Sequence, residues 1–200
     1  MRDERIVPIF VGEGMVQRYI HALDEVNRMA AVSYRESGGN VENVIGDILS
    51  LLIAAYRHGI EDIADMLMYR MYIDLNRMNN AIYKNIGGKT FEDRVRDHMA
   101  ADDPKGLQML AESEYHRVYS QAEFDGAEDY EADTGLTPTK KWNTMNDNDV
   151  RETHDFLEGV SVDLHEEFHT VDGDHALVPG GFEKAENNAG CRCWLTFGVA

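Results

Sequence analysis

The stretch that decides the fold is residues 141–193, KWNTMNDNDVRETHDFLEGVSVDLHEEFHTVDGDHALVPGGFEKAENNAGCRC. It has little helical periodicity and is rich in glycine and histidine. Residues 140–144 and 160–164 are predicted to be strands, the second because its apolar side chains alternate with period two. Residues 147–158 are predicted to form a helix, and residues 193–197 a further strand. The stretch therefore predicts a small mixed α/β unit.

The residues upstream have the spacing of amphipathic helices. Apolar positions recur at three and four residues over 14–35, 41–58 and 60–84. Gly59 is expected to end the second helix in the left-handed conformation. A long helix is expected over 105–130, capped by Asp103 with Pro104 in its first turn. The predicted fold class is α+β: an N-terminal helical bundle, then a long helix and a small mixed α/β C-terminal domain.

Two further expectations concern the upstream residues. The apolar segment 5–11 contains Pro8, which favours an extended arm over a helix start. Four methionines of the third predicted helix are expected to fill gaps in the core, because their side chains are flexible and apolar: Met66, Met68, Met71 and Met78.

The net charge of −18 is concentrated in the second half of the chain. Residues 1–100 carry 12 basic and 15 acidic side chains, whereas residues 101–200 carry 7 and 22. Such a surface repels phosphate, so direct sequence-specific nucleic-acid binding is disfavoured. The acidic run at 123–133 is expected to be a solvated helix face, with contact to a basic partner as the alternative. With no apolar run of membrane-spanning length and no signal-peptide start, the sequence predicts a soluble cytoplasmic protein without membrane contact.

The segment His165-Glu166-Glu167-Phe168-His169 fits the H-E-x-x-H pattern of zinc proteases, with His175 where a third ligand falls. On a helix, such a pair of histidines holds zinc on one face and the glutamate acts as general base. Two departures count against this site: the glycine stands at 173 instead of 172, and no methionine follows position 145. A zinc metalloprotease is therefore kept as an alternative.

Cys191 and Cys193 are separated by one residue, a spacing at which a mutual disulfide is strained. They are predicted to be reduced thiols, buried groups or metal ligands. With His154, or with a histidine from residues 165–175, they can form a structural zinc site, because thiolate and imidazole are both zinc ligands. The short spacing counts against both thiols reaching one ion, so the leading prediction has no cofactor. No nucleophile elbow, phosphate-binding loop or dinucleotide fingerprint is found, and no enzyme is predicted.

In order and spacing, eleven residues resemble the C-terminal domain of the phage Mu F-like minor head proteins: Lys141, Trp142, Arg151, His154, Gly159, Phe168, Pro179, Gly180, Cys191, Arg192 and Cys193. Upstream, residues 88–94 (GKTFEDR) resemble the family's G-K-T-x-x-E-R segment, and residues 111–114 (AESE) its A-R-T-E helix. The likeness spans about residues 87–195. Gly190 stands where asparagine is usual, and Glu112 replaces an arginine.

The resemblance implies a helical N-terminal region over 1–86, for docking or oligomerisation, and a minor head protein domain over 87–200. It implies a non-enzymatic structural component of a tailed-phage head, present in several copies in the virion and made in the host cytoplasm. The expected partners are the portal and the major capsid protein. The motif residues are then structural, and the H-E-x-x-H match is accidental. An acidic protein-binding module remains the second alternative.

Overall fold

The computed structural model describes residues 13–199, and the predicted arm at 5–11 lies outside them. Five helices precede a mixed C-terminal segment. The helices are α1 (Glu13–Glu36), α2 (Val41–Met66), α3 (Leu75–Ile82), α4 (Phe91–Ala100) and α5 (Pro104–Thr134). They are followed by β1 (Thr139–Asn143), α6 (Glu152–Asp155), β2 (Ser161–Asp163), β3 (Phe168–His169), β4 (His175–Ala176), α7 (Ala185–Asn188) and β5 (Trp194–Gly198). The predicted α+β class is confirmed.

The long helix α5 runs through the centre of the molecule. Its start follows the prediction: the side chain of Asp103 accepts a hydrogen bond from the backbone N–H of Gly106 at 2.9 Å, and Pro104 occupies the first turn. Gly135 ends it in the left-handed conformation, with φ +71°. The N-terminal half of α5 packs with α1, α2 and α4 in one apolar cluster, and the C-terminal half packs with the mixed segment in a second. α5 is therefore buried on both sides.

The prediction that Gly59 ends the second helix is wrong, because α2 continues to Met66. Gly59 is buried where α2 crosses α5. A Cβ atom at this position would lie 2.4 Å from the backbone oxygen of Tyr119 and 2.8 Å from Cβ of Ala122. The glycine thus permits close helix packing and does not act as a cap.

The predicted helix over 60–84 is also wrong, since residues 67–74 have no regular secondary structure. Met68 has a positive φ of 48° and is 91% exposed, so it does not fill the core. The other three methionines are partly buried and pack against the apolar clusters: Met66, Met71 and Met78. The chain turns after α2 and exposes Met68, Tyr72 and Leu75, before α3 returns to the core through Ala81 and Ile82.

The mixed segment contains a three-stranded antiparallel sheet in the order β2-β1-β5 and a separate β3–β4 pair. The predicted strands over 140–144, 160–164 and 193–197 are confirmed as β1, β2 and β5. The predicted helix over 147–158 shortens to the single turn α6. No helix between residues 13 and 199 has the length and apolarity that crossing a membrane requires.

The acidic run on α5 is not the solvated face that its composition predicts. Glu123 is 1% exposed and Asp125 is 6% exposed, because both face the packed helices around α5. Glu128 and Asp129 are partly exposed, and both pair with Arg77 of α3, at 2.9 and 3.3 Å. Neighbouring helices, and not solvent, therefore surround Glu123 and Asp125, and Arg77 balances the charges of Glu128 and Asp129.

Candidate functional site

His154, Cys191 and Cys193 come together in the core of the mixed segment. Nδ1 of His154 lies 3.6 Å from Sγ of Cys191 and 3.5 Å from Sγ of Cys193. Each residue is at most 4% exposed, and both cysteines are free thiols. The structure thus brings together the three residues that the sequence offers as a structural zinc site. We refer to these three residues as the Cys-His cluster.

Arg151 fixes the two parts of the cluster relative to each other. It is the N-cap residue of α6, which carries His154. Its guanidinium donates to the backbone oxygen of Asn187 at 2.9 Å and to that of Ala189, shortly before Cys191. The guanidinium of Arg151 therefore binds backbone carbonyls and not a carboxylate. The irregular backbone around α7 needs donors for its free carbonyls, and the arginine supplies them.

Extended backbone places both thiols on the same side of the chain. In such backbone, side chains two residues apart point the same way. Cys191 and Cys193 therefore face the core together, whereas Arg192 between them points outward and pairs with Asp147 at 2.9 Å. The strand β5 begins at Trp194, directly after Cys193, and is held by β1. The one-residue spacing thus brings the two thiols together, although in the sequence this spacing counts against both thiols reaching one ion.

Aromatic side chains enclose the Cys-His cluster. The ring of Trp142 stands edge-on to His154 at 5.7 Å between centroids, and the ring of Phe182 lies at 5.2 Å. A cavity of about 20 Å³ adjoins the three groups, which is room for one water molecule or ion. His116 of α5 reaches the cluster from the other side and interacts with the Cys191 thiol. The cluster is therefore buried and shared between the mixed segment and α5.

The two thiols have opposite protonation tendencies. The hydrogen bond from Cys193, followed by those from His116 and His154, lowers the pKa of Cys191 well below its usual value despite burial. The hydrogen bond to Cys191 and burial raise the pKa of Cys193. The two directions are opposite because one hydrogen bond joins the two sulfur atoms, donated by Cys193 and accepted by Cys191.

A buried ion cluster, Arg94–Glu114–Arg117, connects two upstream motif segments. Glu114 is 2% exposed and pairs with Arg94 and Arg117, each at 2.8 Å. Arg117 also donates to the backbone oxygen of Ala81 at 2.7 Å. Burial raises the pKa of Glu114, but the two guanidinium groups outweigh it and the net pKa is lowered. The cluster joins α3, α4 and α5.

Sequence reasoning missed His116 and Arg117, although a signal was present. Charged and polar residues at 112–117 interrupt the apolar pattern of α5, which is typical of a helix buried on several sides with internal polar contacts. Ser113 and Arg117 also touch the mixed segment: Ser113 accepts a hydrogen bond from the backbone N–H of Gly190 at 3.3 Å. A Cβ on Gly180 would lie 3.2 Å from Cα of Arg117. One turn of α5 therefore contributes to the ion cluster and also contacts the segment that carries the Cys-His cluster.

The family lysine Lys141 is exposed, and the buried lysine is its neighbour Lys140. Nζ of Lys140 donates to the backbone oxygen of Leu177 at 2.8 Å. It also lies over the rings of Phe124 and Phe168, at 5.1 and 5.3 Å from their centroids. Burial lowers the pKa of Lys140 to about 8, although nearby carboxylates oppose the shift.

The remaining motif residues support the backbone or the core. Gly159 has φ +76°, and its N–H donates to the backbone oxygen of Trp142 at 2.9 Å. Phe168 is 1% exposed and stacks edge-on against Trp142 at 5.0 Å. Pro179 is buried, and Gly180 has φ +77° where the chain passes α5. These residues contribute to packing.

The H-E-x-x-H segment does not have the geometry of a zinc protease. His165 lies in a turn and His169 in β3, so the required helix is missing from this part of the described chain. His165 is bound to Glu131 of α5 at 2.7 Å, and His175 to Glu167 at 3.1 Å. A two-residue strand places His169 opposite His175. Residues 161–163 and 168–169 form short strands. The i, i+4 spacing of His165 and His169 therefore does not place the two rings on one helix face.

Comparison with known proteins gives one family. The family model described as Phage Mu protein F like protein matches residues 75–196, which run from the first residue of α3 into β5. This range includes the Cys-His cluster, His116 and the ion cluster. No solved structure matches.

A relative among curated proteins is the NAD(+)–arginine ADP-ribosyltransferase EFV of Enterococcus faecalis (strain ATCC 700802 / V583). It is 32% identical to the chain over 128 residues. The match covers 62% of the chain and 26% of the transferase. The chain therefore spans about a quarter of the length of this relative.

Proposed function

The chain belongs to the phage Mu protein F-like family, and we propose that it is a structural component of a tailed-phage head and not an enzyme. The observation that carries the proposal is the position of the motif residues. Trp142, His154 and Glu114 are all at most 2% exposed, so most of the side chains behind the family resemblance lie in the core, with Lys141 as an exposed exception. Side chains that act on a substrate have to reach one, usually in a cleft.

We propose that the head partner is the portal or the major capsid protein, and that residues 68–75 dock on it. This segment exposes apolar side chains beside the structured core: Met68 is 91%, Tyr72 69% and Leu75 65% exposed. Exposed apolar side chains close together mark protein contact surfaces. The net charge of −18 favours a basic face on the partner. The virion is then the final location, after assembly in the host cytoplasm.

Co-assembly tests this role. The full chain is expressed with the portal and the major shell protein encoded in the same genome, and heads are isolated by sedimentation. We expect the chain to co-sediment in several copies per head, counted by quantitative mass spectrometry. Met68→Asp with Tyr72→Asp is expected to abolish co-sedimentation without lowering the melting temperature. Co-sedimentation of this double variant at the normal level contradicts docking through residues 68–75.

A matched control uses two side chains of comparable exposure in the mixed segment. Phe156 is 63% and Val171 is 59% exposed. Phe156→Asp with Val171→Asp is expected to leave co-sedimentation unchanged, which separates the docking segment from a general effect of added charge. A wild-type chain that stays in the supernatant while complete heads sediment overturns the head-protein proposal itself.

The named activity of the matched transferase is the second candidate function. The full chain is incubated with labelled NAD⁺ and an arginine-rich acceptor protein, and the acceptor is examined for label. We expect no transfer. ADP-ribosyl transfer that depends on the chain overturns the non-enzymatic part of the proposal and leaves the docking test unaffected.

A further inference from the structure

We propose that the Cys-His cluster binds a structural zinc ion through Nδ1 of His154 and Sγ of Cys191 and Cys193, and that Nε2 of His116 supplies the fourth ligand. The three atoms of the cluster lie within 4.8 Å of one another. Two sulfur and two imidazole ligands form a closed set of the kind found in structural zinc sites. The inference is independent of the proposed head-protein role.

The distances fit a central ion. With Zn–S of about 2.3 Å and Zn–N of about 2.0–2.1 Å, a tetrahedral site places sulfur and nitrogen ligands about 3.6 Å apart. The two observed separations from Nδ1 of His154 are 3.6 and 3.5 Å. An imidazole nitrogen has a single lone pair or proton in the ring plane, so it hydrogen-bonds one sulfur well and not two. Nearly equal distances to both sulfurs are what a shared ion produces.

His116 is the candidate for the fourth position, and it lies beside the three-residue group, not within its 4.8 Å limit. It is fully buried on α5, and its Nε2 atom has no hydrogen-bond partner within residues 13–199. Its Nδ1 atom is hydrogen-bonded to the hydroxyl of Tyr19 on α1. A hydrogen bond at one ring nitrogen that orients the other towards the metal is the usual arrangement for a ligating histidine. Its interaction with Cys191 brings the ring to the edge of the cluster.

Charge and donor type select the metal. Two thiolates carry two negative charges, which one divalent cation neutralises. Soft sulfur donors disfavour Mg²⁺ and Ca²⁺, which prefer oxygen, and favour zinc. The ion would join α5 to both ends of the mixed segment, because its ligands come from α5, α6 and the start of β5.

Metal analysis of the full chain is the test. The protein is purified with a non-chelating reductant, and its zinc content is measured by inductively coupled plasma mass spectrometry. We expect one zinc per chain. Exhaustive dialysis against a strong chelator is expected to remove it and lower the melting temperature, and Co²⁺ is expected to restore binding with a thiolate-to-cobalt charge-transfer band. Absence of zinc together with absence of this band after Co²⁺ addition overturns the proposal without depending on any variant.

Variants identify the ligands. Cys191→Ser with Cys193→Ser, and separately His154→Ala, are expected to lose the zinc. His116→Ala is expected to release it at a lower chelator concentration, and unchanged retention contradicts the assignment of the fourth ligand. The matched control, His165→Ala with His169→Ala, is expected to keep one zinc per chain. Zinc that is lost from this control and kept by the cysteine variant overturns the site.

Discussion

Residues 13–134 and residues 139–199 satisfy their buried backbone polar groups in different ways. In the first region, helices pair most backbone groups with each other, and apolar side chains fill the space between α1, α2 and α5. In the second, the strands are two to five residues long, so many backbone groups lie outside a ladder. Side chains satisfy these groups instead.

Three side chains show this pattern in the mixed segment. Arg151 donates to two carbonyls before the cysteines, and Lys140 donates to the carbonyl of Leu177. The carboxylate of Asp174 accepts from the backbone N–H groups of His175, Glu183 and Lys184, at 3.0, 3.2 and 3.1 Å. All three interactions are directional, whereas apolar packing is not. We therefore expect single polar side chains to determine the stability of residues 139–199, and the close fit of packed helices to determine that of residues 13–134.

Asp174→Ala is the strongest test of the second half of this comparison. Asp174 is 4% exposed and also accepts from the side-chain amide of Asn187 at 2.9 Å. Its removal leaves several buried donors without an acceptor, and we expect a loss of about 3–5 kcal/mol in the free energy of unfolding. Urea denaturation followed by circular dichroism measures it. The exposed Asp163 of β2 is the control, and Asp163→Ala is expected to stay within about 0.5 kcal/mol.

A loss below about 1 kcal/mol for Asp174→Ala means that water replaces the carboxylate, and the directional account of the second region then fails. Asp174→Asn sharpens the result. The amide has the same shape as the carboxylate, but N–H donors approach both oxygen positions of Asp174. The NH₂ group of asparagine would face some of these donors and cannot accept from them, so Asp174→Asn is expected to recover little of the lost stability.

Gly59→Ala tests the first half of the comparison, where shape decides. The added methyl group would lie 2.4 Å from the backbone oxygen of Tyr119, which belongs to rigid helix backbone. We expect α2 and α5 to move apart at a cost of about 1–3 kcal/mol in the free energy of unfolding, measured by urea denaturation.

Gly46 provides a control in the same helix, since nothing lies within 4 Å of its Cβ position. Gly46→Ala is expected to stabilise the protein by up to about 1 kcal/mol through helix propensity. Opposite signs for the two substitutions support the close crossing of α2 and α5. Stabilisation by both would mean that Gly59 is not at a tight contact.

The sequence predicted what local signals encode. Asp103 and Pro104 fix the start of α5 through groups only a few residues away, and period-two alternation locates β2. Gly59 and Glu123 were misjudged because their roles depend on residues of other helices, which no local pattern contains. The H-E-x-x-H spacing misled for the same reason: it has meaning only on a helix.

The candidate site was predictable only in part. The grouping of His154 with the two cysteines followed from their residue types, since thiolate and imidazole are both zinc ligands. The role of His116 did not, because it is 38 positions before His154 and its partner Tyr19 is 97 residues away in the sequence. Whether a histidine on a buried helix meets a thiol depends on how that helix is packed, which is a tertiary property.

Glu123→Gln examines an exception to the comparison, a buried polar group in the helical region. Burial, followed by repulsion from Asp62, raises the pKa of Glu123 well above its usual value. Between the unfolded value of about 4.3 and the folded value, the folded state binds the extra proton, so stability falls as pH rises, by at most about 1.4 kcal/mol per pH unit. The amide removes this titration. We expect Glu123→Gln to gain at least about 1 kcal/mol over the wild type between pH 5 and pH 8, measured by urea denaturation at both values.

Glu131, on the same helix, gives the opposite sign and serves as the control. Its hydrogen bonds with Thr137 and His165 lower its pKa, so its stabilising contribution is present above the unfolded pKa and is lost as pH falls through the folded one. Glu131→Gln is therefore expected to show no gain between pH 5 and pH 8. A gain in both variants would reflect the general relief of negative charge on an acidic protein, whereas a gain in Glu123→Gln alone assigns it to the buried carboxyl. That outcome would place the polar weakness of the helical region at a single residue, between α5 and Asp62 of α2.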